Sequence, residues 1–342
     1  MNISQTPSVY IVILHWKAYS ETRACLLSLK SVTYPNYRVL VVDNFSNDGS
    51  IERLKEEFPE HIFVFNQSNL GFSCGCNPGL REAYRLGADY VLLLNNDMKV
   101  EPGFLEPAIA EAEKDPLIGA VTGKIMYKET PTIFWQAGGY IHPFRVQGVA
   151  RGKGEEDRGQ YDLVCETGWA SGAMSLIRRS TLEKAGYLPE EYFFGQEEWD
   201  YSTAILRSGL KILYVPTFKA YHAAGASYNA GHPVLNIYGG YLSKMIYAEK
   251  YMPAWEWQLW RFSFWMYLKL RWPSLARRYC KCEEDYRVRL AAGYMAFNDH
   301  KSVKKIRLAE LEDAARRLGP TPTWGVGWQP REASETQKKE AL

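Results

Sequence analysis

Short runs of β-branched, apolar residues alternate with helix-patterned segments through roughly the first hundred positions, and few folds accommodate that alternation. Val9–Leu14, Val39–Val42, Ile62–Phe65 and Tyr90–Leu94 read as strands; Thr22–Leu29, Asp48–Phe58 and Gly79–Leu86 read as helices between them. Strands apolar on both faces, each followed by a helix, imply an α/β fold with a mainly parallel sheet covered on both sides. Ligands of such sheets bind beyond the carboxyl ends of the strands. Function is therefore expected in Asp43–Ser50, in Asn66–Phe72 and in Asn95-Asn96-Asp97, the polar stretches that follow the second, third and fourth strands. A further acidic group, Glu197-Glu198-Trp199-Asp200, opens a helical run that closes at Gly209.

Composition narrows the class. With 342 residues, 46% of them hydrophobic, the chain can build one large core and a smaller appendage. A net charge of +2 supplies no basic surplus for a nucleic-acid partner. Cys74-x-Cys76 and Cys280-x-Cys282 lack the CxxC spacing and nearby histidines of a zinc site and read as reduced thiols. Val9–Leu14 is too short for a secretory h-region and no stretch approaches the roughly 20 apolar residues of a spanning helix, so a cytoplasmic protein is expected.

The acidic positions suggest chemistry. Asn95-Asn96-Asp97 suits a hard divalent cation shared with phosphate oxygens, although Asn and Asp also terminate strands as turns. Asp43 can accept hydrogen bonds from a ribose or base, or cap its own loop. Glu197 and Glu198, followed by Asp200, can crowd one another and raise a proton affinity, as a general base needs; the alternative is a solvated helix entrance.

The order of these pieces resembles family 2 of the glycosyltransferases, the GT-A fold, and within it the bacterial branch that includes rhamnosyltransferases of cell-surface polysaccharides. The resemblance spans about residues 8 to 228. It is carried by Val41-Val42-Asp43-Asn44 with Ser46, Asp48, Gly49 and Ser50, by Asn69-Leu70-Gly71-Phe72 and by Leu94-Asn95-Asn96-Asp97. Trp169-Ala170-Ser171-Gly172-Ala173, Glu197-Glu198-Trp199-Asp200 and His222-Ala223-Ala224-Gly225-Ala226-Ser227 continue it. The resemblance implies a nucleotide diphosphate sugar donor, manganese or magnesium, and a glycan or lipid-linked acceptor. Asp97 and His222 would bind the metal. Asp43, Asn69, Asn77, Asn95, Asn96 and, at the end of the first strand, His15 would line the nucleotide side. Trp169, Ser171, Gly172 and Glu197 would shape the acceptor or donor-sugar side, and Glu198 would be the catalytic base. The pattern departs from the family at His15-Trp16-Lys17, where an Asn-rich or Thr-x-Asn stretch is usual, and at Glu198, one methylene longer than the common Asp.

The expected organisation is a catalytic domain at 1–228, a Trp- and Tyr-rich helical extension at 229–318 and a loose tail at 319–342. Polar residues fall on several faces of Trp255–Trp272, which argues against a simple surface-lying helix. The extension is expected to pack on the catalytic domain, on a second subunit of a homo-oligomer, or as a peripheral membrane contact through 255–289, with Arg277, Arg278 and Lys281 meeting anionic lipid at the inner face. Two other functions stay in view. One is a catalytically impaired scaffold that binds a partner. The other is a sugar-phosphate nucleotidyltransferase, which would want a Gly-bearing phosphate loop where His15–Ser20 has none.

Overall fold

The computed structural model describes residues 6–223, 234–280 and 282–319. The first half runs β1 (Val9–His15), α1 (Tyr19–Leu29), β2 (Tyr37–Asp43), α2 (Ser50–Glu57), β3 (Ile62–Phe65), α3 (Gly71–Arg85) and β4 (Tyr90–Leu94). Then come β5 (Met98–Val100), α4 (Leu105–Ala112), β6 (Ile118–Tyr127), β7 (Phe134–Ala137), a separate hairpin of β8 (Gly139–His142) and β9 (Gln147–Ala150), and β10 (Cys165–Glu166). β11 (Met174–Arg178), α5 (Arg179–Lys184), α6 (Glu197–Arg207) and β12 (Lys211–His222) complete the sheet region. A π-helical turn, Val234–Gly239, leads into α7 (Gly240–Tyr251), α8 (Ala254–Leu270), α9 (Trp272–Tyr279), α10 (Glu283–Asp299) and α11 (Leu308–Leu318).

The central sheet has the order β10-β12-β6-β11-β4-β1-β2-β3. Its β4-β1-β2-β3 half is parallel, as the alternation predicts. The other half is mixed, because β11 runs antiparallel to both β4 and β6. From β1 the chain steps outward to β2 and β3, then returns to place β4 on the other side of β1. That reversal opens a crevice at the carboxyl ends of β1 and β4. Parallel register pairs His15 with Asp43 at that rim.

The helix expected at 79–86 is longer and begins at Gly71. Its glycines hide a packing contact from a periodicity reading: a Cβ on Gly79 would lie 2.6 Å from Val42 and 2.8 Å from Val12. The helix thus rests directly on β1 and β2, and its start is brought over their ends.

One core lies beneath the sheet and another above it. A third, largely aromatic core joins α7, α8, α9, α10 and α11, and it takes in Tyr192 and Phe193 from the loop before α6. The extension is thereby fastened to the segment that leads into Glu197-Glu198. Ile306 N–H donates to Glu191 O and Arg307 donates to Glu190 O. The 320–342 part of the expected tail, and Ala224–Ser227 of the last motif, lie outside the described residues. Among the described residues no helix is long and apolar enough to cross a membrane.

The strongest polar fastening is at Asp200, 1% exposed, which faces the extension and does not crowd Glu198 as expected. Lys250 Nζ approaches its two oxygens at 3.0 and 2.9 Å, Tyr251 O–H donates at 2.6 Å and Tyr192 O–H at 2.7 Å. Removing the lysine would strand a buried carboxylate, so Lys250→Met should destabilise the chain by about 3 kcal/mol in denaturant unfolding. Adding Asp200→Asn should recover part of that loss, since the buried charge is gone, the amide oxygen still accepts from one tyrosine and the amide nitrogen can donate to the hydroxyl oxygen of the other. Equal stability of Lys250→Met and wild type would show that the pair does not hold the extension.

Candidate functional site

Asp97 leaves the end of β4 at the crevice rim, where β5 pairs antiparallel with β12 and brings Met98 opposite His222. Ala223 N–H donates to the Asp97 carbonyl at 3.1 Å, so the two residues are set by backbone pairing. His222 Nε2 lies 3.1 Å from Asp97 Oδ1, 9% and 4% of the two side chains being exposed. Apart from that contact Asp97 Oδ1 has no aligned hydrogen bond, and His222 Nδ1 is a buried polar atom without a hydrogen-bond partner. Buried polar groups normally find partners, and one left over points to an absent ion or water. A carboxylate and an imidazole fit a divalent cation whose remaining shell comes from phosphate oxygens. Among the described residues no three of His, Cys, Asp and Glu converge on one point. The protein would therefore supply two donors and leave the other positions open.

Beneath Asp97 runs a chain of hydrogen bonds that the sequence reading did not anticipate. Asn96 Nδ2 donates to Thr22 Oγ1 at 3.0 Å. His15 Nδ1 is 2.8 Å from that hydroxyl, and its Nε2 is 2.8 Å from Ser50 Oγ. Ser50 in turn donates to Asp48. The directions close if the ring is neutral with its proton on Nε2, which agrees with burial lowering the His15 pKa. His15, expected on the nucleotide side, is fully buried with both ring nitrogens engaged inside the protein. It ties the rim of β1 to α1, α2 and the β4 end. Thr22 carried no signal beyond its place on the buried face of α1.

Asn77, also expected on the nucleotide side, is likewise engaged inside the protein. Its amide donates to Leu188 O at 3.0 Å and its oxygen accepts from Leu188 N–H at 3.1 Å, so it clamps the loop before α6. Asn96 spends its amide nitrogen on Thr22, whereas Asn95 is half-buried at the rim. Asp43 accepts from Ser46 N–H at 3.2 Å and from Ser46 O–H at 2.5 Å, closing a turn in which Phe45 and Asn47 have positive φ. A carboxylate has about four lone-pair sites, so this turn leaves acceptor capacity at Asp43. Asn69 Oδ1 accepts from Asn44 and from Gly71 N–H, while Asn44 Oδ1 accepts from Asn66 and Leu70 N–H. These three asparagines hold the β2 and β3 ends against the start of α3. At that start a Cβ on Gly71 (φ +78°) would come within 2.1 Å of Phe193 O. Only glycine fits where α3 meets the loop before α6.

Glu198 stands in the first turn of α6, half-buried, and its Oε2 accepts from Gly172 N–H at 2.6 Å. Burial raises its pKa to about 7, against the lowering effects of Gly172 N–H, the Trp199 and Ser171 side chains and the charge of His222. Its anchor Gly172 adjoins Ala173, whose carbonyl accepts from Asn95 N–H at 3.0 Å, so Glu198 is held near the end of β4. Gly172 therefore grips the carboxylate. Trp169 packs edge-on against Trp199 with centroids 6.0 Å apart, and both indole N–H groups are buried without a well-aligned partner.

Glu197 is 5% exposed and its pKa is raised to about 8, first by burial and then by the charge of Glu198. A carboxyl that holds its proton in the folded state and releases it when unfolded makes stability fall as pH rises between the two pKa values, here from the ordinary 4.5 to about 8. Glu197→Gln should therefore raise Tm above pH 8 and leave it nearly unchanged near pH 4.5. Thermal melts across that range check this, and a gain of equal size at every pH would contradict it.

Comparison with known proteins agrees with this geometry. A family model described as glycosyl transferase family 2 matches residues 10–186. Over 216 residues the chain is 24% identical to the N-acetylglucosaminyl-diphospho-decaprenol L-rhamnosyltransferase of Mycobacterium tuberculosis, covering 58% of this chain and 70% of that protein. It is 27% identical over 171 residues to the poly-beta-1,6-N-acetyl-D-glucosamine synthase of Staphylococcus epidermidis, of which the match spans 39%. Among solved structures it shares its fold with GalNAc-T7 with UDP, GalNAc and Mn2+ (TM-score 0.58, 15% identity, 91% of this chain and 56% of that one). It shares it also with the mannosyltransferase PcManGT of Pyrobaculum calidifontis in complex with GDP-Man and Mn2+ (TM-score 0.51, 16% identity, 88% and 89%). With its GT-A sheet and more than half its length matched, the chain belongs to glycosyl transferase family 2.

Proposed function

We propose that the protein transfers a hexose, rhamnose being the first candidate, from a nucleotide diphosphate sugar to a hydroxyl of a glycan or lipid-linked acceptor, with inversion at the anomeric carbon. The observation that carries this reading is the convergence of two features at the β4 rim: unpartnered donors on Asp97 and His222, and a carboxylate on Glu198 poised to accept a proton. The lipid-linked acceptor is suggested by the name of the mycobacterial relative.

Asp97 and His222 would hold manganese or magnesium, which supplies Lewis-acid neutralisation of the departing diphosphate. Asn69 and Asn95 border the nucleotide side, and Asp43 offers its remaining acceptor capacity to the nucleoside. Glu198 takes the acceptor hydroxyl's proton as the oxygen attacks. Its pKa near 7 matches that task, since a general base works best when its pKa is close to the working pH. Gly172 N–H keeps the carboxylate aimed. Glu197, buried alongside, keeps its proton and leaves the charge to Glu198.

Glu198→Gln keeps shape and hydrogen bonding but cannot accept the proton. Transfer should fall by about a hundredfold or more, with nucleotide diphosphate binding retained in a thermal-shift assay. In the wild type, kcat/KM should climb with pH, pass half its maximum near 7 and level off above that. Near wild-type transfer by Glu198→Gln would move the base to another residue.

Asp97→Ala should lose both activity and the manganese-dependent part of the stabilisation by nucleotide diphosphate, which in the wild type with manganese totals about 2.7 kcal/mol at a hundred times the dissociation constant. Full activity in excess chelator would overturn the metal assignment.

A further inference from the structure

α8 is apolar on two opposite faces. Trp257, Trp260, Phe264 and Leu268 turn inward and are at most 8% exposed. Outward, Trp255 is 65% exposed, Leu259 59%, Phe262 60% and Leu270 68%, with Met266 half-buried between them. At helical spacing these five residues form one stripe about 22 Å long. Trp265, 38% exposed, flanks it and stacks on Phe262 at 5.9 Å. A helix apolar all round belongs in a core or against lipid, and α8 has only one of its faces in a core. The weak amphipathicity of Trp255–Trp272 thus has a cause other than burial on all sides.

Charge says what covers the other face. At its carboxyl end stand Lys269 and Arg271, followed on α9 by Arg278, all exposed and without an ion pair among the described residues. Arg277 is answered by Glu283, and Lys281 lies outside the described residues. Along the outward side of α8 the one carboxylate is Glu256, a full helix length away from this cationic end. Apolar residues with exposed tryptophans beside unpaired cations are the chemistry of an anionic bilayer surface, where tryptophan settles at the headgroup level and each nearby cation contributes about 1 kcal/mol.

We propose that the outward face of α8 lies flat on an anionic membrane surface, with Trp255, Leu259, Phe262, Met266 and Leu270 in the interfacial layer and Lys269, Arg271 and Arg278 at the headgroups. The stripe is contact area for an in-plane helix and does not span the bilayer. The inference stands independently of glycosyl transfer.

The test is flotation of the full chain with vesicles of phosphatidylcholine alone and of phosphatidylcholine mixed with phosphatidylglycerol. The wild type should float with the anionic vesicles and be released by high salt. Leu259→Ser with Phe262→Ser should weaken partition by roughly tenfold or more, since each change removes interfacial apolar area. Arg271→Glu with Arg278→Glu should abolish the preference for anionic vesicles while leaving the stripe intact. Near-ultraviolet circular dichroism and Tm, unchanged in both double variants, show that the fold persists, because all four side chains face outward. Wild-type protein that stays out of the floating fraction with both vesicles overturns the proposal. So does a sedimentation result in which the wild type is a dimer that Leu259→Ser with Phe262→Ser dissociates, since a second copy would then cover the stripe.

Discussion

A carboxylate buried to 1% exposure must be neutralised where it sits, and Asp200 is neutralised by residues from elsewhere in the chain. Lys250 and Tyr251 come from the end of α7, and Tyr192 from the loop that precedes α6. Because Asp200 lies half a turn beyond Glu198 on the same helix, this arrangement also sets the azimuth of α6, and with it the direction of Glu198. On the other side Gly172 N–H receives the Glu198 carboxylate. The catalytic proposal thus depends on the aromatic extension being docked, although among the described residues the extension supplies none to the candidate site.

The rim of the sheet is organised by a comparable division of labour. His15, Thr22, Ser50 and Asn96 satisfy one another, whereas Asp97 and His222 are left with unpartnered atoms. Satisfied networks rigidify, and unsatisfied buried groups cost free energy unless something binds them. The rigid layer carries the costly one. Its contrast separates the polar residues that satisfy one another from the two proposed to hold the metal.

Much of the plan could be read in the amino-acid order. The alternation of apolar runs and helices placed β1 to β4, and Ile62–Phe65 and Tyr90–Leu94 are the strands expected. The start of α3 was hidden because Gly75, Pro78 and Gly79 dilute its periodicity, a signal that reads burial and takes no account of helix-to-strand contact. Asp97, His222 and Glu198 were singled out by the order of motifs that carries the family resemblance, and Asp97 also by its place after a strand end, where ligands of such sheets bind.

What local pattern could not supply was which polar side chain faces which neighbour. His15 and Asn77 occupy strand-end and helix positions suited to ligand contact, yet each spends its polar atoms inside the protein. Asp200 read as part of an acidic cluster, and its partners lie about fifty residues along the chain. α8 read as poorly amphipathic because a moment averages over the wheel, and packing alone decided which apolar face is covered. The sequence by itself determined strand order along the chain, the compositional class and the residue types at the strand ends. Tertiary structure decided their pairing, because hydrogen bonding and desolvation depend on distances between residues far apart in the chain.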